Sequence, residues 1–303
     1  MTGPLLTGAL LSLLGALFFG FNNLATRRAV IRVKDTSPGV ALSVFVSVPA
    51  VLAVLVLTGK LGDLVRFPWH GYLWLLGAGI IHYYVGRSLN YRSVQLVGAN
   101  LTGILRRSSP LMAVFLGVVV LQETVTGMML IGLILILMGV GLVGWTPWQP
   151  RGGKNSFLQI GPKGIMLGVG AGLCYGISPL MIKMALNSYS APLAAVFITF
   201  TGAAAVFAVS SMRGRKGAEL FTMEKTTFWW FVVSGLVVVL AQVSRFLALS
   251  MAPISIVSPL FDTSPVMVVI LSFLFNRKLE VFSKSIVFSA IMVVIGSLFL
   301  IGG

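Results

Sequence analysis

Ten stretches of this 303-residue chain are long and apolar enough to cross a bilayer, and the polar connections between them are short. They fall near 4–26, 37–58, 69–89, 96–121, 125–145, 164–186, 190–211, 228–249, 253–275 and 282–301. A helix needs about 20 apolar residues to span the hydrocarbon core. Lipid offers no partner to backbone N–H and C=O groups, so such runs are predicted to be helices. The expectation is an all-α integral membrane protein of ten transmembrane helices. Only 10% of the residues are charged and the mean hydropathy is +1.00, against about 25% charged in a soluble domain. The formal charge of +15 lies mostly between the apolar runs, where it reads as an orientation signal rather than a nucleic-acid surface. The single cysteine, Cys174, excludes a disulfide within the chain. No cationic stretch precedes the first run, so that run does not read as a cleaved signal.

The longest polar connection, 144–164, divides the runs five and five. It suggests a first unit at 1–146, a connecting loop at 147–163 and a second unit at 164–303. The two units repeat. Ser12, Ala16 and Gly20 fall on Gly168, Gly172 and Gly176; Arg87 falls on Arg245; Ser109-Pro110 falls on Ser264-Pro265; Glu123 falls on Glu280. A stripe of small residues every fourth position lets membrane helices approach closely. Five is odd, so the second unit is expected upside down relative to the first. Charge agrees: 16 Lys and Arg lie in or beside alternate connections and only 4 in the others. That pattern marks an inverted repeat, which places a substrate at the repeat interface near the midplane. The same bias puts both termini outside and the Arg213-Gly-Arg-Lys216 loop in the cytoplasm.

The sequence resembles an EamA-type member of the drug/metabolite transporter superfamily. The first helix of each unit carries an aromatic-Gly pair, Phe19-Gly20 and Tyr175-Gly176, and ends in Arg27 or Lys183. The fourth and fifth helices read Ser109-Pro110, Glu123, Gly132 and Gly139, repeated as Ser264-Pro265, Glu280 and Gly296. The resemblance implies ten transmembrane helices, a central cavity lined by helices 1, 3, 4, 6, 8 and 9, and transport of a small metabolite. Members usually keep their termini in the cytoplasm, opposite to the expectation from charge.

Arg106 and Arg107 stand about ten residues inside an apolar run, too deep to snorkel. An intramembrane arginine costs at least ~2.5 kcal/mol, so each needs a partner or a wet cavity. Neighbours on a helix point about 100° apart, so the two are expected to do different work. Pro110 should weaken the helix there. Each arginine suits either a substrate anion or an internal pair. Asp262 is the only acidic residue deep in an apolar run, and it matches Arg107 just as Ser255 matches Asn100. It is expected to pair with Arg107 across the axis or to carry a coupling proton. Tyr83, Arg87 and Asn90 share one helical face, with Tyr84 beside them and Gln242 and Arg245 at matching positions. Asn22, Asn23 and Ser178 are candidates at the ends of helices 1 and 6, for the substrate or for interhelical hydrogen bonds. Glu123 and Glu280 are expected at the N-termini of the fifth and tenth helices. His82 and His70 are too far apart in sequence to suggest a metal site.

Secondary-active transport of a small organic metabolite, anionic or zwitterionic and carboxylate- or amino-acid-like, is the function this pattern supports. The expected setting is a multi-pass protein of the plasma or inner membrane, with a proton or counter-substrate as candidate coupling partner. No cofactor, metal or nucleic acid is expected. No Gly-x-x-x-x-Gly-Lys loop is present, which argues against ATP as the direct energy source. An integral-membrane enzyme would need an acid/base or metal cluster that two histidines and one deep carboxylate do not supply. A channel or, within the family, a cation-drug exporter completes the alternatives.

Overall fold

A computed structural model describes residues 3–30, 33, 37–145, 162–212, 223–267 and 284–303. Among these residues the chain is helical and contains no strand. The helices are α1 (Gly3–Val30), α2 (Ser37–Leu57), α3 (Trp69–Gly79), α4 (Arg87–Leu105), α5 (Ser108–Leu121), α6 (Gly127–Trp145), α7 (Pro162–Ser188), α8 (Pro192–Met212), α9 (Lys225–Met251), α10 (Ile254–Phe261) and α11 (Lys284–Gly302). By length and composition six of the described helices can cross a membrane, and Gly127–Leu142 and Phe288–Gly302 are shorter apolar ones.

Three boundaries differ from the sequence expectation. The third run does not end near 89: α3 passes through a π-helical turn, Ile80–Gly86, straight into α4. The turn of the chain falls later. Ser93 and Thr102 are hydrogen-bonded side chain to side chain at 2.9 Å, although nine residues of straight helix would set them about 13.5 Å apart. The helix therefore bends sharply between them. The fourth run is broken at Arg106 and Arg107, between α4 and α5. Pro110 is the reason. It has no N–H for the carbonyl of Arg106, four residues back, and Ser109 bonds that carbonyl instead at 2.9 Å. The ninth run breaks the same way: α10 stops at Phe261, Asp262 and Thr263 form a turn, and helix resumes at 264–267 around Pro265.

Contacts made by one half recur in the other. α1 packs on α9 as α7 packs on α3 and α4; α1 meets α10 as α7 meets α5. Equivalent helices α6 and α11 pack on each other. A Cβ at Gly132 would meet the carbonyl of Gly296 at 2.6 Å, and one at Gly296 the carbonyl of Gly132 at 2.7 Å. Gly139 lies on Ser289 and Gly303 on Met129, so α6 and α11 run antiparallel. Ser109 opposite Asp262 and Glu123 opposite Ile254 set α5 and α10 antiparallel too.

The small-residue stripe of α7 lies on the broken helix. Gly168 faces Leu105 and Ser93, Gly172 faces Ser108 and the backbone of Arg106, and Gly176 faces Met112 and the carbonyl of Ser109. A Cβ at Gly172 would collide with Ser108 Oγ and sit 3.3 Å from Arg106 Cα. Gly172→Leu is expected to destabilise the protein by about 1–3 kcal/mol or more, because the Ser108 hydroxyl must be displaced and the Arg106 backbone behind it cannot move aside. Unfolding of the purified variant measures this; parental stability would show that α7 does not need this approach.

Candidate functional site

The break at Arg106 and Arg107 points two adjacent guanidinium groups in different directions. Arg107 reaches α6, donating from Nη2 to the carbonyl of Val140 at 2.7 Å. Arg106 lies over the ring of Tyr175 on α7, its Cζ 4.9 Å from the centroid. The two side chains point to different helices, as their spacing of about 100° requires. In both, Nε is buried without an acceptor.

The π turn supplies the facing side. One extra residue in a helical turn rotates everything after it, which is why such turns recur at functional positions. Here it carries His82 and Tyr83. His82 Nδ1 is 2.7 Å from Ser178 Oγ, and its ring meets Tyr175 at 4.8 Å and Tyr83 at 4.7 Å. Tyr83, only 2% exposed, stacks on Phe200 of α8. Arg87 leans over Tyr83 at 5.6 Å and donates to Ser43 Oγ of α2 at 3.1 Å. Three arginines, Arg245, Arg87 and Arg106, lie within electrostatic reach of His82.

α9 supplies Gln242 and Arg245, 1% and 4% exposed and one helical turn apart. Arg245 lies over Phe261 at 4.7 Å. Neither Arg245 Nε nor Gln242 Nε2 has an acceptor among the described residues. Asp262, in the turn after α10, accepts from Ser109 Oγ at 3.2 Å. Arg245, Arg106 and Arg107 lie within its electrostatic reach, yet among the described residues no ion pair joins it to any arginine. The expected Arg107–Asp262 pair is thus not formed here: Arg107 has turned to Val140 and Asp262 to Ser109. The sum is three arginines within electrostatic reach of one carboxylate at the two helix breaks, with a fourth, Arg87, within reach of His82.

Other candidates sit further out. Asn22 accepts from Ser234 Oγ of α9 at 2.6 Å, and Thr26 shares that serine at 2.9 Å, so this end of α1 is an interhelical bond. Asn23 is partly buried beside it. Tyr84 packs edge-on against Phe207 of α8. Asn90 keeps a buried Oδ1 without a donor. The side chain of Asn100 lies outside the described residues, as does Glu280. Cys174 packs beside Gly86.

Two charged residues act where sequence reasoning did not put them. Glu123 does not cap α6, whose first turn is served by Thr126 Oγ1 accepting from Met129 N–H. It crosses to the other half and accepts from the N–H groups of Ile254 and Ser255 at 2.8 and 2.9 Å, capping α10. Lys183 donates to the carbonyls of Leu249 and Ala252 at 2.6 and 3.0 Å, capping α9 at the same corner. Each charge matches the helix end it meets. His82 was the other omission. Its isolation in sequence hid its place among three arginines, although its position one residue before Tyr83 was a signal.

No curated protein matches this chain. One solved crystal structure of a protein is 14% identical, with a TM-score of 0.74 over 96% of this chain and 95% of that one; at that identity the likeness is one of fold. The sequence profile of the EamA-like transporter family matches residues 6–145 and again residues 162–302. With nearly the whole chain matched in two copies, this protein belongs to the EamA-like transporter family and is a multi-pass membrane transporter of a small molecule.

Proposed function

We propose that this chain is a secondary-active transporter of a small organic anion. It works by alternating access across ten transmembrane helices arranged as two inverted five-helix units. The inversion is supported by the antiparallel course of α6 against α11. The observation that carries the reading is the excess of guanidinium groups: Arg106, Arg107 and Arg245 around Asp262, each with a buried Nε left without an acceptor, and Arg87 within electrostatic reach of His82. Buried charge without a partner is costly, and an anion with several acceptor oxygens offsets that cost where a cation would add to it. Substrate contacts fall to Arg106, Arg245, Gln242, Arg87 and His82. Asn22 and Tyr84 support the helices around them.

Counterflow in proteoliposomes tests this. Vesicles loaded with organic anions should accumulate the labelled anion, whereas vesicles loaded with cationic drugs should not. Exchange of cationic drugs with no exchange of anions would overturn the proposal. Orientation is a separate expectation. The 16-to-4 charge bias puts Met1 and Gly303 outside and Arg213–Lys216 in the cytoplasm of a plasma or inner membrane. Reporter fusions at the termini check it, and activity of both on the cytoplasmic side would reverse the assignment.

A further inference from the structure

The free donors of the centre are not all on one residue. Arg87 and Arg107 already donate, to Ser43 and to Val140. Arg106 and Arg245 make no side-chain hydrogen bond among the described residues, and each has a buried Nε without an acceptor. Each has its Cζ over an aromatic ring, Arg106 4.9 Å from the centroid of Tyr175 and Arg245 4.7 Å from that of Phe261. A ring takes no N–H of the guanidinium fork as a conventional hydrogen bond, which leaves the fork for a bidentate anion. The two belong to different halves of the chain, yet the Ser109–Asp262 hydrogen bond joins the break that holds Arg106 to the turn after Phe261, the ring under Arg245, and both arginines lie within electrostatic reach of Asp262 and His82.

We propose that Arg106 and Arg245, one from each half, jointly hold a substrate carrying two separate anionic groups: a small organic dianion. This rests on the reading of the protein as an anion transporter. Two features set the dianion above the alternatives. The first is charge. Three arginines lie within electrostatic reach of one carboxylate; the other acidic side chains with described contacts are engaged elsewhere, Asp63 with Arg66 and Tyr189, Glu123 with α10. A monoanion leaves one of the two excess positive charges uncompensated, and a dianion leaves none. The second is the surroundings of Asp262. A zwitterion would need it for the ammonium group, but Asp262 already accepts from Ser109 and lies within reach of three guanidinium groups that repel an ammonium. A dianion spanning Arg106 and Arg245 also ties the two halves together while it is bound. A ligand that contacts both halves can favour one of their relative arrangements over another, as alternating access requires.

The test uses purified full-length protein and matched probes: succinate against butyrate, and 3-phosphoglycerate against glycerate. Binding is read from thermal stabilisation and confirmed by competition in counterflow. At least one dianion should bind about tenfold or more tightly than its monoanionic partner, the worth of one further charge-assisted contact. Arg106→Gln and Arg245→Gln should each erase that preference while leaving weak monoanion binding. Arg106→Lys and Arg245→Lys keep the charge and guard against misfolding; they should retain part of the preference, since an ammonium lacks the fork. Equal binding of mono- and dianions, or a dianion preference indifferent to either substitution, overturns the two-arginine site and leaves the anion transporter standing. Failure of every anion to bind, with cationic compounds stabilising instead, overturns both.

Discussion

Glu123→Ala is expected to cost the fold about 3 kcal/mol or more, because two charge-assisted hydrogen bonds of about 1.5–3 kcal/mol each are lost. Glu123 Oε1 and Oε2 are the acceptors for the first N–H groups of α10, at 2.8 and 2.9 Å. α10 is eight residues long and every residue in it is buried. A helix that short does not hold by propensity, and its first N–H groups have no acceptor within the helix itself. Lys183 holds the preceding helix end at the same corner and lies within electrostatic reach of Glu123. The corner therefore has both of its loose ends fixed from outside its own segment. Glu123→Gln keeps an acceptor but loses the charge, and should cost about half as much. Lys183→Met should also destabilise, and combining it with Glu123→Ala should be non-additive, since both secure one turn. Denaturation of the purified variants measures all three. Parental stability in Glu123→Ala would show that α10 is held by packing alone.

The same corner marks the limit of what the sequence told. Glu123 and Lys183 were visible as charged residues at the ends of apolar runs. Their partners were not, because Ile254 and Leu249 lie in other helices and nothing local selects them. Proline was more informative. Pro110 acts on the carbonyl four residues back, a rule read from sequence alone, and the fourth run breaks where that rule puts it; the same rule was not applied at Pro265, and Pro49, Pro179 and Pro259 sit inside helices without breaking them. The glycine stripe was legible for a similar reason: 168, 172 and 176 share a helix face whatever they meet. The π turn at Ile80–Gly86 was not legible. It preserves helical composition and shifts only the hydrogen-bond register, so the third run read as an ordinary helix ending too early. His82 fell out of view with it. The Arg107–Asp262 pairing was inferred from matched positions, which gave the right neighbourhood. The pairing was expected in at least one access state; in this structure a carbonyl, Val140, and a hydroxyl, Ser109, hold the two charges instead.

Arg245→Met is expected to remove at least about 30-fold of substrate exchange, the lower end of the 2–5 kcal/mol lost when one partner of a buried charge contact is truncated. The empty protein should not be weakened by it. Arg245 is 4% exposed, lies over Phe261 and makes no hydrogen bond among the described residues. Its charge is thus carried in the interior at a cost to stability, and a Met of similar length keeps the packing on Phe261 without the charge. The unfolding temperature of Arg245→Met should equal or exceed that of the parent. Arg107→Met is the contrast. Arg107 donates to Val140 at 2.7 Å, so part of its cost is already offset and its removal should bring no comparable gain. Loss of function with no loss of stability is what separates a ligand-binding arginine from a structural one. If Arg245→Met exchanges substrate at the parental rate, Arg245 is not in the binding site. If it unfolds as readily as Glu123→Ala, its role is to hold α9 against α10.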